Sequence, residues 1–599
     1  MIQPRVRFPI GISDFRNVRE GGFYYVDKTA LLDDVLAESA QVLLAPRPRR
    51  FGKTLNLSML RYFFEKSAED RRPLFDNLDV ASSDHAWAHF QRYPVIFMTF
   101  KDVKPRSWED CLGGMSDVLA ETFRQHRYLL REGNLEVEDD RLFAAVLERR
   151  ATKSELTIAL KLLSRLLAEH HREKVVILID EYDSPIHAGY SNKYYDDVVA
   201  FFRDFLSGGL KDNADLFKGV LTGILRVAKE SLFSGLNNVE VYSILRVPLA
   251  TAFGFTEAEV RGLAEAAGQA ASLDAIRAYY NGYYFGGQAI YNPWSVLSFL
   301  NRGDGELWPY WIETSSNDLV RELLLTSPEG IQTDFDVLLA GGTLDKPIDE
   351  NIVLRDVSAR TDVVWSFLLF TGYLKVVKVY PVEGQRWATL AVPNAEVAVA
   401  LRGMAQAWIA AQLGGASQLR NLLDALLRGD APVVERHLAQ LLKVNLSYFD
   451  TAAPEPERFY HGLVVGLLAG LAPRYDVRSN RESGYGRCDI MILPKTAGQP
   501  GVVLELKRVD TEAGETAEKA FTGALRQIRE RDYAAELRER GAAPIHQMAA
   551  VFEGKRVFVR VAGEKKIARK TTVKTAPAKK APAKKAAPVR KGPRRPGRS

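Results

Sequence analysis

Arg47-Pro48-Arg49-Arg50-Phe51-Gly52-Lys53-Thr54 is the stretch on which the reading of this chain turns. A short apolar run, Val42-Leu43-Leu44-Ala45, leads into it, and a helical pattern from Leu55 to about Phe64 leads out. Strand, turn, then Gly-Lys-Thr opening a helix is the setting of a phosphate-binding loop. Its backbone N–H groups and the helix N-terminus offer positive partial charge to phosphate oxygens. Lys53 would reach the β- and γ-phosphates and the Thr54 hydroxyl would hold Mg²⁺. Arg50, Phe51, Gly52, Lys53 and Thr54 are therefore candidate nucleotide-binding residues. The usual pattern has a glycine five residues before Gly52, and Arg47 stands there. From the pattern alone, a nucleotide site and a basic turn on a helix both stay open.

The next evidence lies downstream. Val175-Val176-Ile177-Leu178-Ile179 ends in Asp180-Glu181. A continuous apolar run is expected of a strand buried on both faces of a parallel sheet, as is Pro94 to Phe100. Acids at its C-terminal end complete a nucleotide site: Asp180 on Mg²⁺, Glu181 orienting or deprotonating water. A further strand, Phe217 to Leu221, ends at Thr222, where a polar group could sense the γ-phosphate. Arg226, four residues on, is either a phosphate contact or an ordinary ion-pair arginine.

A second constellation sits near the C-terminus. Gly484-Tyr485-Gly486-Arg487-Cys488 enters a strand at Asp489, and Val502-Val503-Leu504-Glu505-Leu506-Lys507 follows. Side chains alternate along a strand, so Glu505 and Lys507 share a face opposite Val502, Leu504 and Leu506. Asp489 and Glu505 on neighbouring strands make a hard, oxygen-rich site for Mg²⁺ or Mn²⁺. Lys507 could orient water or stabilise a developing phosphorane charge.

Composition bounds the rest. At 599 residues, 46% hydrophobic and 26% charged, the chain has the make-up of a soluble globular protein of several domains. Two cysteines, Cys111 and Cys488, argue against a disulfide framework and suit a reducing cytosol. The N-terminus lacks an apolar signal core, and no stretch is long enough to span a bilayer. The net charge of +6 comes from the end of the chain: residues 565–599 carry nine Lys and five Arg without an acid, leaving −8 for the rest. That Lys/Ala/Pro-rich tail is expected to be disordered and to favour phosphate backbones.

Residues 8–330 resemble the bacterial AAA-ATPase-like family that is commonly fused to a PD-(D/E)XK nuclease-like domain. Besides the Arg-rich loop and Leu178-Ile179-Asp180-Glu181-Tyr182-Asp183, the resemblance rests on Pro9 to Phe15, Tyr25-Val26-Asp27-Lys28-Thr29, Leu232 to Asn238, Gly254-Phe255-Thr256-Glu257 and Tyr291-Asn292-Pro293-Trp294-Ser295. The arginine-rich loop is itself typical of that family. Asp489, a spacer, then Glu505-x-Lys507 resembles the nuclease core. The resemblance makes Asp489, Glu505 and Lys507 catalytic, with Glu457 from the preceding helix and Gln527 from the following one in support.

The implied α/β architecture is a P-loop, AAA-like parallel-sheet core over 1–254 and a helical lid over 255–345. A connector over 346–430 follows, where a helix and β-hairpin hint at a winged helix. The nuclease-like domain then covers 431–562 and the basic tail 563–599. ATP, Mg²⁺ and nucleic acid, DNA first, are the implied cofactors and partner, without a membrane and with a homo-oligomer left open. A cytoplasmic or nucleoid-associated location is expected.

Overall fold

The structure, a computed structural model, describes residues 6–132, 136–211, 213–226, 238–311, 331–339, 341–352, 354, 361–445, 468, 471, 474–483, 486–509, 514–554 and 556–562. Glu457, most of its predicted helix, most of Leu232–Asn238 and the basic tail lie outside these residues. Among the described residues, no helix is long and apolar enough to cross a membrane.

The first core is a parallel sheet. Strands β1 (Val42–Pro46), β2 (Val95–Thr99), β3 (Val175–Asp180), β4 (Leu216–Gly223) and β5 (Val239–Val241) lie in the order β2-β3-β4-β1-β5. Every pair in it is parallel. Helices α1 (Lys53–Phe64), α2 (Trp108–Gln125), α3 (Lys153–His171) and α4 (Tyr195–Leu210) connect and cover it. All residues of β1 and β3 are buried, as their unbroken apolar runs require. β4 lies between the strand feeding the loop and the strand carrying the acids. The C-terminal ends of all three therefore open on one edge, where open α/β sheets bind ligands.

A smaller core follows, built on α5 (Glu257–Ala266), α6 (Leu273–Tyr280) and α7 (Pro293–Arg302). The expectation of helices alone over 255–345 needs correction. A hairpin of β6 (Tyr283–Phe285) and β7 (Gln288–Ile290) interrupts them. Gly286 and Gly287 both have positive φ, 53° and 85°, the backbone that a two-residue hairpin turn demands. Aromatic and β-branched neighbours supply the strands.

Strand β8 (Leu344–Pro347) and helix α8 (Thr361–Thr371) precede the hairpin of β9 (Lys375–Val382) and β10 (Gln385–Ala391), giving a sheet of order β8-β10-β9. Helix then hairpin is the arrangement expected for this stretch. Apolar residues of α8 and β10 join the same core as the parallel sheet.

Helix α9 (Ala395–Leu413) crosses between two cores. Val397 and Leu401 pack with the parallel-sheet core, whereas Ala410 and Leu413 pack with the C-terminal one. That second core joins α10 (Ala416–Arg428) and α11 (Ala431–Asn445) to one face of a mixed sheet. Its strands, in spatial order, are β11 (Tyr475–Ser483), β12 (Gly486–Pro494), β13 (Gly501–Arg508), β14 (Ile545–Glu553) and β15 (Arg556–Val561). Only β13–β14 is parallel. Helix α12 (Ala517–Glu530) covers the other face.

Candidate functional site

The loop after β1 is fixed by residues that do not face a ligand. Arg47 is fully buried. Its Nη1 donates to the carbonyls of Pro46 (2.8 Å) and Tyr242 (2.5 Å), and its Nη2 to that of Leu249 (2.9 Å). The guanidinium lies 5.1 Å from the centre of the Phe253 ring and 5.4 Å from that of Phe285. Burial lowers its pKa to about 9. Arg47 thus acts as a strut between the loop and the 242–249 segment. Phe51 is a second anchor, its ring wholly buried against Tyr283 and Phe285.

With those anchors set, the backbone can turn. Arg50 and Gly52 have φ of 70° and 83°. At Gly52 a Cβ would meet no atom within 4 Å, so the glycine serves the left-handed backbone and leaves open space above the loop. Lys53 is buried, its Nζ donating to the carbonyls of Arg47 (3.1 Å) and Pro48 (3.0 Å). Burial lowers its pKa, opposed by Glu181, Asp180 and Asp183. Arg50 stacks its guanidinium 4.1 Å from the centre of the Trp294 ring.

Asp180 ties its own strand to the head of α1 and to the end of β4. Thr54 Oγ1 donates to its Oδ2 at 2.7 Å, and Thr222 Oγ1 to its Oδ1 at 2.7 Å. Asp180 is fully buried; burial raises its pKa, and the two hydroxyls pull it down. Glu181 follows in a left-handed conformation, φ 48°, which is costly outside glycine and concentrates at functional sites. Its carboxylate accepts from Ser184 Oγ at 3.0 Å.

Asp183, which the strand pattern did not single out, accepts the backbone N–H groups of Ile224 (2.8 Å) and Leu225 (2.9 Å). Burial would raise its pKa, but His187 and these amides outweigh burial and hold it low. Its signal was position: an acid at the head of the helix following Asp180.

Arg50, Lys53, Thr54 and Glu181 border a cavity of about 340 Å³, within the range of small-ligand sites, with Asp180 and Asp183 behind its lining. Its floor is the loop from Arg49 to Asn56 with Glu181; its walls include Pro9 to Ser13, Tyr24 to Val26, Pro293 and Trp294. Lys101 and Lys104, just past β2, also line it. The sequence reading missed the Pro9–Ser13 wall and both lysines, because only folding brings segments so far apart together. Thr222 reaches the site through Asp180 and is not among the cavity's lining. Arg226 borders a separate depression with Arg246, Asp349, Glu350 and Arg386.

The loop is also bonded to the 292–311 segment. The Arg49 carbonyl accepts from Asn292 Nδ2 and Trp311 Nε1, both at 3.3 Å. Trp311 N–H (2.7 Å) and Ser295 Oγ (2.9 Å) donate to the buried carboxylate of Glu396, in the first turn of α9. Burial raises the Glu396 pKa to about 7.

The second site lies on β12 and β13. The alternation is as expected: Val502, Leu504 and Leu506 belong to the core under α10 and α11, and Val503 and Val509 to those under α12. Glu505 is fully buried, and neither carboxylate oxygen has a hydrogen-bond partner. Lys507 Nζ lies 3.5 Å from its Oε1. Asp489 Oδ2 accepts the Leu506 N–H at 2.8 Å, which holds it beside Glu505. Burial, then the charge of Asp489, raises the Glu505 pKa to about 7. Gln527 turns to the Tyr533 hydroxyl (3.2 Å) rather than to Glu505.

Both sites suit the groups the sequence implies. The Thr54–Asp180 pair and the open loop fit a nucleotide phosphate with Mg²⁺. A buried carboxylate with two orphaned oxygens beside a second acid fits a divalent cation. Among the described residues no group of three metal-binding side chains occurs.

Residues 9–233 match the family model of a predicted AAA-ATPase, and residues 455–561 that of the PD-(D/E)XK nuclease superfamily. The chain is also similar to an uncharacterised protein in the vnfD 5′ region of Azotobacter chroococcum mcd 1. The two are 28% identical over 559 residues, covering 92% of this chain and 96% of the relative. That match takes in residues of both halves.

Two outcomes follow from the geometry. Arg47→Gly, which restores the usual loop glycine, is expected to lower stability by about 3 kcal/mol, because it opens a cavity and removes the donor to three carbonyls. Chemical denaturation reads this, and nucleotide affinity should not improve. Glu505→Gln is expected to stabilise the metal-free protein at pH 8 by up to about 3 kcal/mol and to have little effect near pH 4. The sign follows from the raised pKa: the protonated form folds at no charge-burial cost, and stability falls as pH rises through about 7. Thermal melts of both proteins across that range check it.

Proposed function

We propose that this chain, an AAA-ATPase-like domain joined to a PD-(D/E)XK nuclease-like domain, is an ATP-driven, metal-dependent nuclease. The single observation that carries the proposal is Glu505. Its fully buried carboxylate has no hydrogen bond to either oxygen, and Lys507 at 3.5 Å does not outweigh burial and the charge of Asp489, so the carboxylate costs free energy unless a further cation or a proton answers it. A chain that needed only the fold would be more stable with an apolar residue there.

In the N-terminal half, Lys53 would exchange its bonds to the loop carbonyls for phosphate oxygens. Thr54 and Asp180 would hold Mg²⁺ around the β- and γ-phosphates. Glu181, steadied by Ser184, would orient the attacking water and accept its proton. In the C-terminal half, Asp489 and Glu505 would hold Mg²⁺ or Mn²⁺, and Lys507 would orient water against a phosphodiester. When bound, the metal polarises the phosphoryl oxygens and lowers the pKa of water. Glu457 and Gln527 complete the proposal as supporting groups, and the basic tail as a hold on the nucleic-acid backbone. The cytosol, in contact with the nucleoid, is the proposed location.

A second reading has its own support. The Arg49 carbonyl, the lid and Glu396 form one hydrogen-bonded chain leading into α9. A nucleotide-dependent switch could use that chain with the C-terminal domain as a non-cleaving platform for nucleic acid.

Incubating the purified chain with mixed DNA and RNA, Mg²⁺ and ATP separates the two readings. The nuclease reading expects cut products, reduced at least ~100-fold in both Glu505→Ala and Lys507→Ala. Wild-type rates in those variants would sink it. Nucleotide-dependent binding with intact nucleic acid under every metal tried would favour the switch.

A further inference from the structure

Cations crowd the nucleotide cavity, and most are already engaged. Lys28 is held by Glu259 (2.6 Å) and the Thr251 carbonyl (2.8 Å). Lys53 donates to the loop carbonyls and Arg50 lies over Trp294. Lys101 and Lys104 differ: both are exposed, both line the cavity, and neither forms an ion pair among the described residues. Among the described residues, Glu181 is the one acid lining that cavity.

Their position is set by the sheet. Thr99, the last residue of β2, lies opposite Asp180. Phe100 N–H donates to the Asp180 carbonyl at 3.0 Å, and Lys101 N–H to Thr99 Oγ1 at 3.3 Å. Lys101 therefore leaves the sheet beside Glu181, at the end of the cavity where Thr54 and the acids meet. The segment carrying both lysines is pinned. Val103 N–H donates to the Phe100 carbonyl (3.0 Å), Val103 is buried against α2 at Gly114, and the Pro105 carbonyl accepts from the Tyr194 hydroxyl (2.8 Å). Both lysines thus sit on a fixed turn and line the same cavity as Lys53, Thr54 and Glu181.

We infer that Lys101 and Lys104 contact the γ-phosphoryl group of the bound nucleotide, distinguishing triphosphate from diphosphate and supplying positive charge from within the same chain. The inference rests on the ATPase reading above. In hydrolysis the water oxygen bonds to the γ-phosphorus as the bond from that phosphorus to the β–γ bridging oxygen breaks. That oxygen leaves on ADP with its electron pair, and a water proton passes to Glu181 and on to solvent. The charge spreading over the γ-oxygens is what the two ammonium groups meet, the part played elsewhere by an arginine from a second protein.

The test is equilibrium binding of ADP and of a non-hydrolysable ATP analogue, each with Mg²⁺, to the full chain and to Lys101→Ala/Lys104→Ala. The wild-type chain is expected to prefer the triphosphate by about tenfold or more. The double variant should lose most of that preference while its ADP affinity stays within about threefold. Lys101→Arg/Lys104→Arg should restore the preference. In the same preparations kcat for ATP should fall at least ~10-fold, and KM for ATP should rise with the lost triphosphate affinity. A double variant that keeps the wild-type preference overturns the inference and leaves the ATPase reading standing. A wild-type chain that binds both nucleotides equally also overturns it, and one that binds neither overturns both.

Discussion

The carboxylate of Asp180 holds three segments of chain at once. Its own strand, the head of α1 through Thr54 and the end of β4 through Thr222 meet on two oxygens. Hydrogen bonds to a charged group are worth about 1.5–3 kcal/mol each, and in a buried site they offset the cost of removing the charge from water. Cations near the loop then follow electrostatically, and the left-handed Glu181 follows geometrically as the chain leaves the strand. Asp183 repeats the device one step further on by capturing the amides of Ile224 and Leu225. The floor of the cavity is thereby backed by strand ends.

The same loop is tied to what lies beyond it. The Arg49 carbonyl accepts from two lid residues, and one of these, Trp311, also bonds Glu396 at the start of α9. Nineteen residues make α9 about 28 Å long, enough to begin in the parallel-sheet core beside the loop and end in the core that holds Glu505. One helix therefore has residues packed in both cores. This continuity gives the two halves a physical means of acting together.

Much of this was legible in the sequence because it is periodic or local. The apolar run of β3 ending in acids, the strand–turn–helix at Gly52 and the alternation that puts Glu505 and Lys507 on one face follow from short-range rules. The β9–β10 hairpin was marked by Glu383-Gly384, both of positive φ. Readings failed where the deciding contact was remote. Arg47, standing where the usual pattern has a glycine, is drawn inward by carbonyls about two hundred residues away. The Gly286-Gly287 turn was overlooked amid helical patterns. Neither the Pro9–Ser13 wall nor the proximity of Lys101 to Glu181 has any local signature. Glu396 gives no sign in sequence of the burial that ties it to the lid.

Whether the ATP site drives the phosphodiester site is the central claim, and one measurement addresses it directly. The rate of Mg²⁺-dependent cleavage of DNA is followed with and without saturating ATP, in the wild-type chain and in Lys53→Ala. The account predicts cleavage that rises severalfold with ATP in the wild type and loses that rise in the variant, while the ATP-free rates stay alike. Equal rates with and without ATP in the wild type, or stimulation that persists in Lys53→Ala, would contradict it.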